Sequence, residues 1–237
     1  MRRLSSFFFI YCRLEDYFGD LKWWPAKTPF EMMVGAVLTQ NTAWVNVEKA
    51  IQAIRAKHVL SLAGLSRLSD ADLSSLIRPA GYYNQKTKTL RAFLAFLKTV
   101  CDGRLAALSR FSTPDLREKL LRVRGVGPET ADSILLYALN RPVFVVDAYT
   151  RRIFSRLRML SGNEPYEEIR SLFEQDIFAH LDGHTRGQMK KGTPENRFVR
   201  ISNQFHACIV ETAKRFCRKK NPDCHLCPLS EQRACFF

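Results

Sequence analysis

The stretch Leu120-Leu121-Arg122-Val123-Arg124-Gly125-Val126-Gly127-Pro128-Glu129-Thr130-Ala131, followed by Val145-Val146-Asp147, decides how this chain folds. Apolar residues at three- and four-residue spacing run from Leu116 to Val123 and again from Ala131 to Leu139, the pattern of two helices. Between them Gly125 and Gly127 permit a sharp turn, because glycine reaches backbone angles closed to other residues. Pro128 suits the first position of the second helix, where its missing N–H would have gone unpaired anyway. The reading is a tight hairpin between two helices, the second running from Glu129 to Asn140. Around Val126 the two glycines leave backbone N–H groups open to close approach by an anion. The second helix adds its positive N-terminal end, with Thr130 in the first turn. Such a corner also serves plain helix packing; its setting in a cationic chain favours phosphate.

That setting is pronounced. The 237 residues carry a formal net charge of +14, which implies an anionic partner. Between His184 and Lys220, Arg186, Lys190, Lys191, Arg197, Arg200, Lys214, Arg215, Arg218, Lys219 and Lys220 face only Glu195 and Glu211. Arg151, Arg152, Arg156 and Arg158 form a second cluster just after Asp147. A membrane surface also attracts such charge, but the scattered aromatics make no apolar helix face, so nucleic acid is the better match. The N-terminal run Phe7-Phe8-Phe9-Ile10-Tyr11-Cys12 is short and is followed at once by Arg13, Glu15 and Asp16. It reads as one face of a first helix rather than a signal or a span. A cytoplasmic, nucleoid-associated protein acting as a monomer, with no membrane partner, is expected.

Nearly everything else reads as helix, with periodic apolar runs at Phe30 to Leu38, Val45 to Ile54, Thr89 to Val100 and Ile201 to Phe216. Thr28-Pro29-Phe30-Glu31 marks a start with a capping threonine, a first-turn proline and a glutamate three residues after the cap. Thr113-Pro114-Asp115 repeats the device with Thr113 as the cap. Val143 to Val146 is the only strand-like run and is too short for a sheet; it reads as a buried, extended approach to a helix starting near Asp147. An aspartate there caps a helix well. It also offers a carboxylate for chemistry, and spacing alone leaves both roles open.

Taken together, these blocks resemble the helix-hairpin-helix DNA glycosylases of the endonuclease III superfamily. The likeness is carried by Leu120 to Ala131, by Val146-Asp147 with Tyr149-Thr150-Arg151 behind it, and by cysteines near the C-terminus. Within the superfamily the chain looks most like the 3-methyladenine branch, through Trp23-Trp24-Pro25, Gly35 to Thr42, and Gly81-Tyr82-Tyr83-Asn84-Gln85-Lys86. The resemblance implies an all-α fold of two helical domains with a cleft between them. Residues 27–140 would form a six-helix domain bearing the hairpin, and residues 1–26 with 141–237 a second helical domain ending in a cysteine loop.

It also implies roles. Asp147 falls at the superfamily's catalytic aspartate, where an anion would stabilise an oxocarbenium-like sugar and orient water. Bifunctional members carry a lysine two residues after the second glycine; here Glu129 stands there, and a carboxylate forms no Schiff base. The expectation is therefore a monofunctional glycosylase acting on double-stranded DNA that contains damaged bases. Adenine-specific members carry a glutamate near Gly35 and Ala36, and its lack points to bases that leave easily, such as cationic 3-methyladenine. Trp23, Trp24, Pro25 and Trp44 would form an aromatic base pocket, a cation over an indole gaining roughly 0.5–2 kcal/mol, although paired tryptophans also serve as core. Gln40, Asn41, Tyr82 and Tyr83 would fill the gap left by a flipped nucleotide. Gly125, Val126, Gly127, Thr130 and Arg151 would hold the strand.

Four of the seven cysteines, Cys217, Cys224, Cys227 and Cys235, are spaced C-x6-C-x2-C-x7-C. The superfamily carries a [4Fe–4S] cluster on such a loop, with a last spacing two residues shorter. Zinc is the alternative, because a four-thiolate site with a C-x2-C knuckle suits it. Cys12, Cys101 and Cys208 fall in apolar helical patterns and read as packing residues. Rival functions on the same residues are a mismatch-thymine or oxidised-base glycosylase, a non-catalytic damage-binding paralogue, and an iron–sulfur redox regulator.

Overall fold

The structure, a computed structural model, describes residues 6–21, 26–181 and 192–230. Among these residues it is helical throughout, with no strand. The chain divides into two compact units: Pro25–Leu139, and Met1–Trp24 joined with Asn140–Phe237.

Seven α-helices lie in Pro25–Leu139: α2 (Pro29–Leu38), α3 (Trp44–Ala56), α4 (Leu62–Arg67), α5 (Asp70–Ile77), α6 (Tyr83–Cys101), α7 (Thr113–Leu121) and α8 (Pro128–Ser133). Leu62–Arg67 folds as a short helix under its own serine cap, Ser61. α2 starts as its sequence predicts, with Thr28 accepting from the Glu31 amide and Pro29 in the first turn. It is buried from Phe30 to Leu38 and packs against α3, α6 and α8. Glu31 itself does not close a capping box; its carboxylate takes the Arg55 guanidinium at 2.7 Å. The cap of α7 is Ser112, not Thr113, and Ser112 and Asp115 exchange hydrogen bonds. Serine and threonine cap by the same geometry, so adjacent candidates are separated only by where the chain turns. Helix α8 runs on through a π-type turn at Ile134–Ala138, whose Ile134, Leu135 and Leu136 are buried, and Asn140 then leaves it at φ 50°.

The other unit contains α1 (Phe7–Phe18), α9 (Ala148–Arg156), α10 (Tyr166–His180) and α11 (Pro194–Arg215). α11 packs against each of the other three. The core is phenylalanine-rich, and Phe173 sits at its centre, its ring 4.2 Å from Phe7, 4.4 Å from Phe144 and 4.8 Å from Phe154. Val143 to Val146 lies outside any helix and is buried. Buried amides must find partners, and here side chains of α10 supply them in place of a sheet. The Phe144 amide donates to Glu174 Oε1 at 2.9 Å and the Val146 amide to the Tyr166 hydroxyl at 3.3 Å. Among the described residues no helix is long and apolar enough to cross a membrane.

Candidate functional site

The hairpin between α7 and α8 is as tight as the sequence predicts, but its two glycines do different work. Gly125 sits at φ +82°, and a Cβ there would lie 2.2 Å from the Thr89 hydroxyl oxygen, so both backbone and packing demand glycine. Gly127 has φ −94° and ψ 179°, open to any residue, and a Cβ there would meet nothing within 4 Å. The expectation that both glycines take special angles is therefore corrected: nothing inside the unit requires Gly127 to lack a side chain. Val126 is buried beneath the turn. Arg117 and Asp132 join the two helices through paired bonds of 2.6 and 3.0 Å, with the Asp132 side chain fully buried.

Gln40 and Thr130 meet at this hairpin. The Gln40 amide nitrogen donates to the Gly125 carbonyl and to the Thr130 hydroxyl, both at 2.9 Å. Gln40 is thus a brace between the turn after α2 and the hairpin, a role its sequence position did not signal. Asn41 beside it is exposed and left-handed, φ 52°. Tyr82 is also left-handed, φ 46°, and is 71% exposed, whereas Tyr83 is half-buried with the Arg78 guanidinium over its ring. Lys86 is buried, and its ammonium donates to the carbonyls of Leu38 and Ala80 at 2.9 and 2.8 Å.

Trp23, Trp24 and Pro25 lie outside the described residues. Trp44 opens α3 and lines a surface hollow with Glu31, Glu48, Ile51 and Arg55.

In the other unit, Asp147 follows the buried run Val143 to Val146, is itself extended, and caps α9. Its Oδ1 accepts from the Thr150 amide at 2.7 Å and from the Thr150 hydroxyl at 2.9 Å. Its Oδ2 lies 3.5 Å from Nε2 of His206, which sits on α11. Burial pushes this carboxyl toward the neutral form; His206 and the two Thr150 hydrogen bonds outweigh it and hold the carboxyl below its ordinary value. The arrangement is an oriented, ionised carboxylate, so the capping and chemical readings of Asp147 are compatible. Sequence reasoning missed His206, which no local pattern links to Asp147. Arg151 commits one guanidinium nitrogen to the Glu164 carbonyl at 2.7 Å.

Further along α9, Arg152 donates to the Cys217 carbonyl at 2.9 Å, and Arg156 to the Cys217 sulfur at 3.1 Å and the Arg218 carbonyl at 2.8 Å. Cys217, Cys224 and Cys227 line one apolar hollow with Phe216 and Ser230. Among the described residues no three His, Cys, Asp or Glu side chains form a group that would hold a metal. Cys235, the fourth expected ligand, lies outside those residues. Cys101 and Cys208 are buried and Cys12 is half-buried.

Residues 34–177 match the family described as HhH-GPD superfamily base excision DNA repair protein. A Methanocaldococcus jannaschii protein provisionally named a DNA repair glycosylase is 43% identical over 223 residues, covering 94% of this chain and 93% of that one. Endonuclease III of Thermotoga maritima is 28% identical, covering 84% of this chain and 79% of the relative. Among solved structures, the 3-methyladenine DNA glycosylase of H. pylori bound to 1,N6-ethenoadenine superimposes with a TM-score of 0.75 at 28% identity, covering 88% of this chain and 97% of that one.

Proposed function

The chain belongs to the HhH-GPD superfamily of base excision DNA repair proteins, and from that premise we propose a monofunctional DNA glycosylase that excises alkylated purines of the 3-methyladenine kind. The observation that carries this reading is the Asp147 carboxylate, held at one oxygen by Thr150 and facing His206 with the other.

Breaking the bond between base and deoxyribose builds positive charge on the sugar. A fixed anion lowers the energy of that charge without reorganising when it forms. Thr150 fixes the orientation of Oδ1, and Oδ2 is the oxygen that would face the sugar or the attacking water. The hairpin supplies grip: Gly127 has no internal reason to be glycine, which fits a backbone that a phosphate approaches closely. An extruded base would leave a gap for the exposed Tyr82 ring to enter, with Asn41 beside the unpaired partner base. These contacts are indifferent to base sequence.

Two features support an alkylated purine. Gly35 and Ala36 offer no acid to protonate a leaving base, so the substrate must leave readily by itself, as a cationic purine does. Trp44 borders a hollow in which Glu31 is already paired with Arg55, so it is the indole face that it would offer a cationic base. The solved 3-methyladenine glycosylase is similar over most of both chains. Glu129, exposed in the first turn of α8, cannot attack the sugar as an amine would, which supports base removal without strand cleavage.

The C-terminal cysteines complete the proposal. Cys217, Cys224 and Cys227 share one apolar hollow, and with Cys235 they would hold a [4Fe–4S] cluster. When bound, such a cluster supplies rigidity rather than reactivity. Arg152 and Arg156 tie the same loop to α9, the helix that Asp147 caps. A protein purified without oxygen should show the broad visible absorption of an iron–sulfur cluster; stoichiometric zinc in its place would overturn that assignment.

The test is to incubate the protein with methylated DNA and chromatograph the freed bases. Release of 3-methyladenine, with abasic sites left uncut and no borohydride-trapped adduct, is the expected result. Release of thymine from a mismatch without any methylated purine would overturn the substrate assignment, and a trapped adduct would overturn monofunctionality.

A further inference from the structure

Lys86 is a buried cation with no carboxylate partner among the described residues. It is 2% exposed, and its two hydrogen bonds go to the carbonyls of Leu38 and Ala80. Burying an ammonium without a counter-ion is unfavourable; here burial pushes its pKa down to about 8. A methionine would fill the same volume without that penalty. The charge therefore has to be explained by what it holds.

The two carbonyls stand at the roots of two turns. Leu38 is the last residue of α2, and carbonyls at a helix end have no partner within the helix. Ala80 is the last residue of the short 3-10 turn Arg78–Ala80. Just beyond each, the backbone enters the left-handed region at a residue other than glycine: Asn41 at φ 52° and Tyr82 at φ 46°. Such conformations persist only where surrounding contacts over-determine them. Tyr82 is also the most exposed large hydrophobic residue described, at 71%. On its other side, the Asn41 turn is fastened to the hairpin by Gln40. Three turns, at 39–42, 81–82 and 124–127, are thus joined in series by two side chains, Gln40 and Lys86.

We propose that Lys86 is a positioning residue, which locks the turn bearing Asn41 to the turn bearing Tyr82 so that the tyrosine ring enters the base stack when a nucleotide is extruded. This rests on the glycosylase reading for its DNA partner, but not on which base is released. Lys86 touches no substrate; it acts through Tyr82.

The test uses the full chain and the variants Lys86→Met, Tyr82→Ala and their combination. Each binds a duplex holding an abasic-site analogue with 2-aminopurine as its neighbour. Insertion of the ring unstacks the fluorophore, so the wild type should brighten it and Lys86→Met should lose most of that signal. Single-turnover excision by Lys86→Met should fall on the order of tenfold more for a paired lesion than for the same lesion in an unpaired bulge, where no wedge is needed. Added to Tyr82→Ala, Lys86→Met should cost less than about threefold more, because residues acting through one another are not additive. Should Lys86→Met fail to fold, Lys86→Arg, whose guanidinium can reach both carbonyls, is expected to keep the brightening. Undiminished brightening in Lys86→Met, equal losses on paired and bulged lesions, or full additivity with Tyr82→Ala would overturn the proposal. A wild type that brightens the fluorophore yet frees no base supports it and overturns only the excision reading.

Discussion

Of the seventeen phenylalanines, Phe30, Phe93, Phe96 and Phe111 alone fall in Pro25–Leu139; the remainder belong to the other unit. There, rings from α1, α9, α10 and α11 close around Phe173, and the Asp147 cap is seated at the edge of that cluster by the buried run Val143 to Val146. Pro25–Leu139 has a mainly aliphatic core, with Phe30 and Phe93 its buried rings, and adds charged side chains at its helix ends. Lys86 holds two carbonyls, Arg91 holds those of Leu65 and Leu68 along with the Asp70 carboxylate, and Arg117 grips the buried Asp132. The difference follows from what each unit presents. On the proposed reading, the carboxylate of Asp147 needs one helix start held still, which ring packing provides without polar cost. The surface proposed to grip the strand is made of turns, whose leftover carbonyls and bent backbones need polar anchors.

The largest effects should come from breaking each mode of support. Phe173→Ala opens a cavity in the ring cluster and should cost about 3–5 kcal/mol in chemical denaturation. Arg117→Met alone should cost a similar amount, about 3–5 kcal/mol, by removing both hydrogen bonds that the buried Asp132 carboxylate accepts from Arg117. Arg117→Met combined with Asp132→Leu should recover most of that loss, since an apolar pair of similar size is often neutral or better. No recovery would show that the ion pair does more than fasten α7 to α8.

Function should separate along the same division. Asp147→Asn is expected to reduce single-turnover base release about 10²–10³-fold, the size seen when an electrostatic stabiliser is removed. Asparagine caps helices as well as aspartate, so the start of α9 and duplex binding should be kept, and stability should fall only by what the ionised carboxylate adds. The hairpin glycines should behave in the opposite sense. Gly127→Ala should stay within about 0.5 kcal/mol of wild type in stability yet weaken duplex binding in a salt-dependent way. Gly125→Ala should instead destabilise by about 1–3 kcal/mol or more, from its positive φ and the clash with Thr89. If both behave alike, the distinct roles of the two glycines are wrong.

The smallest effect is on pH dependence. The Asp147 carboxyl is held below its ordinary value in the fold. Its ionisation therefore adds stability that is fully present above the unfolded-state carboxylate pKa, near 3.9, and is lost as pH falls through the depressed folded value. The stability difference between wild type and Asp147→Asn should be constant at neutral pH and shrink in that acidic window. His206→Ala should raise the acid limb of the excision profile, because it removes one of the two groups, with Thr150, that hold the Asp147 carboxyl down against burial.

The sequence by itself determined what adjacent backbone geometry enforces. The α2 cap at Thr28, the turn at Gly125 and the Asp147–Thr150 cap all follow from residues within a few positions of one another, where a side chain's reach and a helix's first turn leave little choice. Even there, Ser112 displaced Thr113 as the cap of α7, because neighbouring hydroxyls are locally equivalent. Only the tertiary structure decided which distant groups meet: His206 opposite Asp147, Gln40 on the hairpin, Lys86 between Leu38 and Ala80, and Arg117 on Asp132. Each of those pairings is fixed by how whole helices pack. A lysine or a histidine in an amphipathic pattern looks the same whether it ends in water or on a buried acceptor, and packing alone tells the two apart.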